Sequence, residues 1–238
     1  MNSLKNKVAY ITGGSKGIGY GIAASMAKSG MRVAITGRNI ETVEKSVVEL
    51  SKIGGEIIGL ETDVRDFESQ EKAIQKVLDK WGQLDVLIAN AGIGHFATIE
   101  TLSIDQWKET IDTNLTGVFY SVKASVEALK KSKGYIFTIS SLAGANFFAS
   151  GTAYNASKFG LTGFTQALML DLRNFDVKVS TIMPGSVSSY FNGRTPEEGE
   201  SWRIQAEDIG QIVIDLLNIH PRTLPSKIEI RPSKPPIK

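Results

Sequence analysis

The chain has 238 residues, 42% hydrophobic and 22% charged, which is the composition of an ordinary globular protein. Its 27 basic and 25 acidic residues leave a net charge of +2 with no block of like charge, which argues against a nucleic-acid or membrane partner. There is no cysteine, and the two histidines, His95 and His220, lie far apart, so disulfides, thiol nucleophiles and a metal centre are not expected.

The opening stretch MNSLKNKVAYITGG holds no apolar segment long enough for a signal peptide, and a soluble cytoplasmic protein is expected. Short apolar, β-branched runs then recur at 7–11, 32–36, 56–61, 84–90, 135–140, 177–183 and 227–231, and each is expected to be a strand. Between them, segments 19–30, 41–54, 68–82, 105–134, 152–175 and 207–219 carry helical periodicity, several closing on glycine. Strand–helix alternation with nearly continuous apolar strands predicts an α/β fold: a doubly wound, seven-stranded parallel sheet covered by helices on both faces. No linker interrupts the pattern, so residues 1–238 are expected to form one domain, with RPSKPPIK as an extended tail. The uncharged stretch Tyr135 to Ser157 is too rich in Ser, Thr, Asn and Gly for a membrane span, and suits the wall of a site.

The first strand runs into TGGSKGIG, which sets Gly13, Gly17 and Gly19 at a turn and the start of a helix. Glycines there let the backbone approach a pyrophosphate held on the helix N-terminus. The pattern G-x-x-x-x-G-K-[ST] is absent, which argues against a P-loop NTPase. Further on, YNASK places Tyr154 and Lys158 four residues apart, on one helix face. A free phenol has a pKa of about 10, and a cation held beside it favours the phenolate.

These motifs occur together with ANAG at 89–92, Asn114 in DTNLTGVF, Ser141 in TISSLAG, and MPG at 183–185. In that order and spacing the sequence resembles the short-chain dehydrogenase/reductase family in its single-domain, Rossmann-type form, over nearly the whole chain. The resemblance implies a catalytic set of Asn114, Ser141, Tyr154 and Lys158. Tyr154 would be the proton donor for carbonyl reduction, Lys158 its tuning partner, Ser141 the carbonyl's hydrogen-bond partner and Asn114 the holder of a relay water. Ser140 rivals Ser141, and spacing to the tyrosine favours the latter.

For the cofactor, the resemblance implies contacts from Gly13, Ser15, Lys16, Gly17, Ile18 and Gly19 in the first loop, and from Asp63 and Val64 beside the adenine. Asn90, Ala91, Gly92, Tyr154 and Lys158 would follow along it. Pro184, Gly185, Val187 and Ser189 would border the nicotinamide carboxamide, with Ser189 standing where relatives usually carry Thr. Thr12 and Asn90 would brace the loop. NAD-preferring relatives place an acid at the end of strand two; here Gly37 stands there, followed by Arg38, and with Lys16 this predicts NADP(H) over NAD(H).

The implied activity is NADPH-dependent reduction of a small-molecule ketone or aldehyde, 3-oxoacyl-carrier-protein reduction being the commonest assignment for this motif set. A sugar or polyol dehydrogenase is the enzyme alternative, and a catalytically silent NADP-sensing protein the alternative of another class. A substrate lid is expected around 187–205, with Tyr190, Phe191 and Trp202 either closing on substrate or pinning the loop. His95, Phe96, Phe147 and Phe148 are candidates for the pocket mouth. Apolar residues around much of helices 112–132 and 152–174 predict a homotetramer, built as a dimer of dimers.

Overall fold

A computed structural model describes residues 4–195, 197 and 199–234. Pro196 and Glu198 of the expected lid, and residues 235–238 of the expected tail, lie outside the described residues. Seven parallel strands form one sheet in the order β3-β2-β1-β4-β5-β6-β7. They are β1 (Val8–Ile11), β2 (Arg32–Gly37), β3 (Glu56–Glu61), β4 (Val86–Ala89), β5 (Tyr135–Ile139), β6 (Lys178–Pro184) and β7 (Lys227–Ile230). The seven predicted runs correspond one to one with them.

The inner strands are apolar on both faces because helices cover both. In β1, Ala9 and Ile11 enter the core shared with helices α1 (Gly17–Lys28) and α7 (Ala206–Asn218). Val8 and Tyr10 enter the opposite core, shared with α3 (Phe67–Trp81), α5 (Gly117–Ser132) and α6 (Thr152–Leu172). All four β1 residues are fully buried. The remaining helices are α2 (Ile40–Ser51) and α4 (Ile104–Ile111).

Local chemistry sets the helix ends. Asn39 caps α2 by accepting from Thr42 N, and Asp66 caps α3 by accepting from Ser69 N. Ser103 and Gln106 form a reciprocal capping box on α4. Gly82 ends α3 at φ +72°, whereas α5 ends on Lys133 at φ +54°, one residue before the expected glycine. The segment 105–134, expected as one helix, is divided: a π turn over Asp112–Thr116 separates α4 from α5. Such turns are single insertions in the helical ladder and often mark functional sites.

Strand order reverses between β1 and β4, and in an open parallel sheet that crevice, at the carboxyl ends of the strands, is where ligands bind. The loops after β1, β4, β5 and β6 all open there. Among the described residues no helix is long and apolar enough to cross a membrane.

Candidate active site

A cleft of about 670 Å³ runs across this edge of the sheet. Its first wall is the loop between β1 and α1. Gly13 has φ +63° and Gly17 φ +57°, both in the left-handed region that glycine tolerates. A Cβ at Gly19 would lie 2.3 Å from the Gly13 carbonyl oxygen, so only glycine allows the loop to fold this tightly onto its helix. Ser15, Lys16 and Ile18 also line the cleft. The Ser15 carbonyl accepts from Ser46 Oγ at 2.8 Å, which ties the loop to α2.

Lys16 is the N-cap of α1, and no side chain caps that end. The first-turn N–H groups and the positive end of the helix dipole are left to meet an anion. The loop is braced from β4: Thr12 Oγ1 accepts from Asn90 N at 3.0 Å and Ala91 N at 3.1 Å. Asn90 Nδ2 donates back to the carbonyls of Thr12 and Gly13. Gly92 continues the wall; a Cβ there would sit 3.6 Å from Lys158 Nζ.

At one end of the cleft lie Gly37, Arg38, Asp63, Val64 and Arg65. Arg38 is mostly exposed, 3.9 Å from Glu109 of α4. Asp63 forms an Asx turn with Arg65 N and takes the Arg65 guanidinium at 2.6 Å, which holds its carboxyl below the usual range. Val64 is buried against Gly117, where a Cβ would lie 2.9 Å away. Arg65 escaped the sequence reading, although a basic residue directly after the TDV segment was a signal of the same kind as Arg38.

At the other end β5, α6 and the π turn converge. Tyr154 and Lys158 are both buried, with Lys158 Nζ 5.7 Å from the phenol ring centroid. The expectation that the lysine favours the phenolate is not what dominates here. Burial pushes the Tyr154 phenol up, its hydrogen bond with Ser141 opposing only in part. Burial also pulls the Lys158 ammonium down, to about 8. Lys158 Nζ donates to the Ile139 carbonyl at 2.9 Å.

Ser141 Oγ accepts from Ala143 N at 3.1 Å and faces the phenol. Ser140, its sequence rival, also borders the cleft, but its hydroxyl is engaged with Thr162 Oγ1 at 3.1 Å and the Lys158 carbonyl. The side chain of Asn114 is already engaged: its Oδ1 accepts from Ile93 N at 2.8 Å. Its Nδ2 donates to Ile93 O and to Ser157 Oγ. It therefore clamps the loop after β4 to α6. Asn155, not singled out as a site residue, anchors the loop after β5 by donating to the carbonyls of Ala143 and Asn146. Every polar residue of YNASK thus has a partner or a face in the site.

The segment after β6 closes the cleft. Pro184 and Gly185 line it, and Gly185 N bonds the Ile230 carbonyl at 2.8 Å. Val187 pairs with Ile204 in a short bridge that staples the two ends of the expected lid together. Ser189 stands over the glycine loop, its Cβ 3.5 Å from where a Cβ on Gly17 would be. Tyr190 and Phe191 line the cleft, whereas Trp202 does not and stacks on its neighbour Arg203 at 4.7 Å.

Of the four mouth candidates only Phe96 lines the cleft, backed by Phe148 at 5.9 Å. Phe147 is 86% exposed, and His95 turns away to hold Glu109 at 2.8 Å. The uncapped α1, the glycine cradle and the buried Tyr154–Lys158 pair suit a dinucleotide lying along the cleft.

Known proteins share this fold. A profile of the short chain dehydrogenase family matches residues 7–199. The 3-oxoacyl-[acyl-carrier-protein] reductase of Synechocystis sp. is 35% identical, over 79% of this chain and 77% of its own. The cyclohexanol dehydrogenase of Acinetobacter sp. is 32% identical, over 91% and 90%. An alcohol dehydrogenase from the archaeon Thermococcus sibiricus, complexed with 5-hydroxy-NADP, superposes with a TM-score of 0.91 at 31% identity, covering 98% of this chain and all of that one. By contrast, the chain spans only 17% of the length of glycine betaine reductase ATRR of Emericella nidulans, to which it is 31% identical. The chain belongs to the short-chain dehydrogenase family, whose oxidoreductases act on CH–OH and C=O groups.

Proposed function

We propose that the chain is a cytoplasmic, NADPH-dependent carbonyl reductase, with Asn114, Ser141, Tyr154 and Lys158 as its catalytic machinery. The observation that carries this reading is the buried Tyr154–Ser141 pair, with Lys158 behind it, at the end of a cleft whose other end offers Arg38 and Lys16 and no acid at Gly37. Gly13, Ser15, Gly17, Ile18 and Gly19 would hold the pyrophosphate, Asp63 and Val64 the adenine, and Arg38 with Lys16 the 2′-phosphate. Asn90, Ala91 and Gly92 would flank the middle of the cofactor, and Pro184, Gly185, Val187 and Ser189 its carboxamide. When bound, the reduced nicotinamide supplies the hydride.

The protein's own part is positioning and proton transfer. The Ser141 hydroxyl, which accepts from Ala143 N and hydrogen-bonds the phenol, would turn its proton to the oxygen of an incoming substrate and polarise the carbonyl. The raised pKa of Tyr154 keeps the phenol protonated across the neutral range, ready to give that proton to the developing alkoxide. Lys158 lies where it can orient the cofactor ribose and relay a proton to the phenol. Relatives that reduce 3-oxoacyl thioesters and oxidise cyclohexanol support carbonyl chemistry of this kind. The test is a panel of ketones and aldehydes followed by loss of NADPH absorbance: turnover of at least one carbonyl, faster with NADPH than with NADH, is expected. No turnover with either cofactor would overturn the reading.

We also propose a dimer of dimers. Phe119 on α5 and Phe159 and Leu170 on α6 are 46%, 42% and 52% exposed, a density of large apolar groups unusual on outward helix faces. The edge strand β7 offers a second contact. Light scattering at micromolar concentration should give four times the chain mass; a monomer would refute the assembly.

A further inference from the structure

Two rings meet over the candidate proton donor, Tyr154. Phe96 lies 5.3 Å from Tyr154, edge-on at 67°, and Phe191 lies 5.6 Å from Tyr154 at 54°. Phe96 and Phe191 face each other at 6.4 Å and 65°, which closes the triangle. The meeting depends on Gly94: a Cβ there would sit 2.7 Å from Phe191 Cζ and 2.9 Å from Phe96 Cζ. The charged groups nearest in the lid are spent on one another, Glu200 holding both Arg194 and Arg203. Phe96 and Phe191 thus give the phenol apolar ring neighbours on two sides, while Asn192, Arg194 and Arg203 of the lid line the same cleft.

From this arrangement we infer that the substrate is a ketone or secondary alcohol whose carbonyl carbon belongs to, or directly bears, a compact apolar ring, alicyclic or aryl. This deepens the proposed carbonyl reduction and rests on it. Flat rings gain from edge and offset contacts with other rings beyond the area they bury, whereas a flexible chain must also lose rotamer freedom to lie between them. In the reduction, the carbonyl carbon receives a hydride, two electrons and one hydrogen, from the reduced nicotinamide. The oxygen receives a proton from Tyr154, leaving a secondary alcohol and oxidised cofactor.

The test compares cyclohexanone and acetophenone with 2-hexanone, an open chain of the same carbon count as cyclohexanone, and with the N-acetylcysteamine thioester of 3-oxobutyrate. With NADPH, kcat/KM for the ring ketones should exceed that for both open-chain probes by several-fold, up to about tenfold, the upper end of what one packed ring pair is worth. Phe96→Ala or Phe191→Ala should lower kcat/KM for the ring ketones by more than for the open-chain probes and so erase the preference. Equal or better turnover of either open-chain probe, or a preference that survives both substitutions, would overturn the inference. If no carbonyl is reduced, the enzymatic reading fails, yet the pocket is still decided by calorimetry with NADP present: cyclohexanone should bind several-fold more weakly to Phe96→Ala, and unchanged affinity would refute the ring site.

Discussion

The two ends of the cleft are built on opposite principles. At the Tyr154 end the functional groups are buried and hydrogen-bonded, and desolvation moves their pKa values in opposite directions, the phenol up and the ammonium down. At the Arg38 end the groups stand in solvent. Arg38 keeps only a loose ion pair at 3.9 Å, and Arg65 is shared between Asp63 and Glu109. Charges in solvent are screened and interact weakly. On the proposed reading, chemistry belongs to the buried end and cofactor selectivity of modest size to the open one.

The largest effect should come from the buried end. Tyr154→Phe removes the proposed proton donor and keeps the ring that Phe96 and Phe191 contact. Turnover should fall by about 10²–10⁴-fold, with NADPH affinity by fluorescence titration changed little. Turnover near wild type would break the contrast, since the buried end would then hold no essential acid.

The Lys158 ammonium offers a sharper test, through pH. Its folded-state value of about 8 lies below the ordinary 10.5, so the fold disfavours its charged form. That cost is fully present below pH 8 and is relieved as pH rises from about 8 toward 10.5; the raised Tyr154 opposes the trend only above about pH 10. Between pH 7 and 9 the cofactor-free protein should gain about 1 kcal/mol from this group, read as urea stability of wild type minus that of Lys158→Met. In the same range kcat/KM for NADPH should begin to fall near pH 8 as the ammonium is lost. A difference that does not vary with pH would place the lysine's titration elsewhere.

The smallest effect belongs to the open end. In Gly37→Asp/Arg38→Ala the ratio of kcat/KM for NADPH over NADH should drop by about tenfold or somewhat more, since screened hydrogen bonds to charge deliver the low end of their range. Some stability should go with it, because a Cβ at Gly37 comes within 3.0 Å of Val43 Cγ2. An unchanged ratio would hand the phosphate to Lys16 or Arg65.

Strands were legible because a parallel strand covered on both faces must be apolar throughout, and runs such as VAYI and RVAIT say so directly. The break at Asp112–Thr116 was not, because α4 and α5 each keep their own helical period. What accompanies the insertion is a set of bonds from Asn114 to Ile93, 21 residues away. The pairing of Tyr154 with Lys158 followed from a spacing of four, but the direction of their pKa shifts depends on how deeply β5 and α6 bury them. His95 sits two residues from cleft-lining Ile93, yet nothing in the sequence announces that Glu109 draws its ring aside. Local pattern carries the elements; long-range bonds decide which way a side chain faces.

Helix α1 crosses α7 with almost no gap. A Cβ at Gly21 would strike the Ala206 backbone at 2.5 Å, and one at Gly210 would come within 2.6 Å of the Gly21 carbonyl. The helix that aims the glycine loop is therefore wedged in place by a segment made nearly two hundred residues later. During synthesis at about 5–20 residues per second, the amino-terminal half can pair its strands for many seconds while that wedge is still missing. The glycine loop thus precedes α7 in the chain, yet the helix behind it gains its full packing only once α7 has been made.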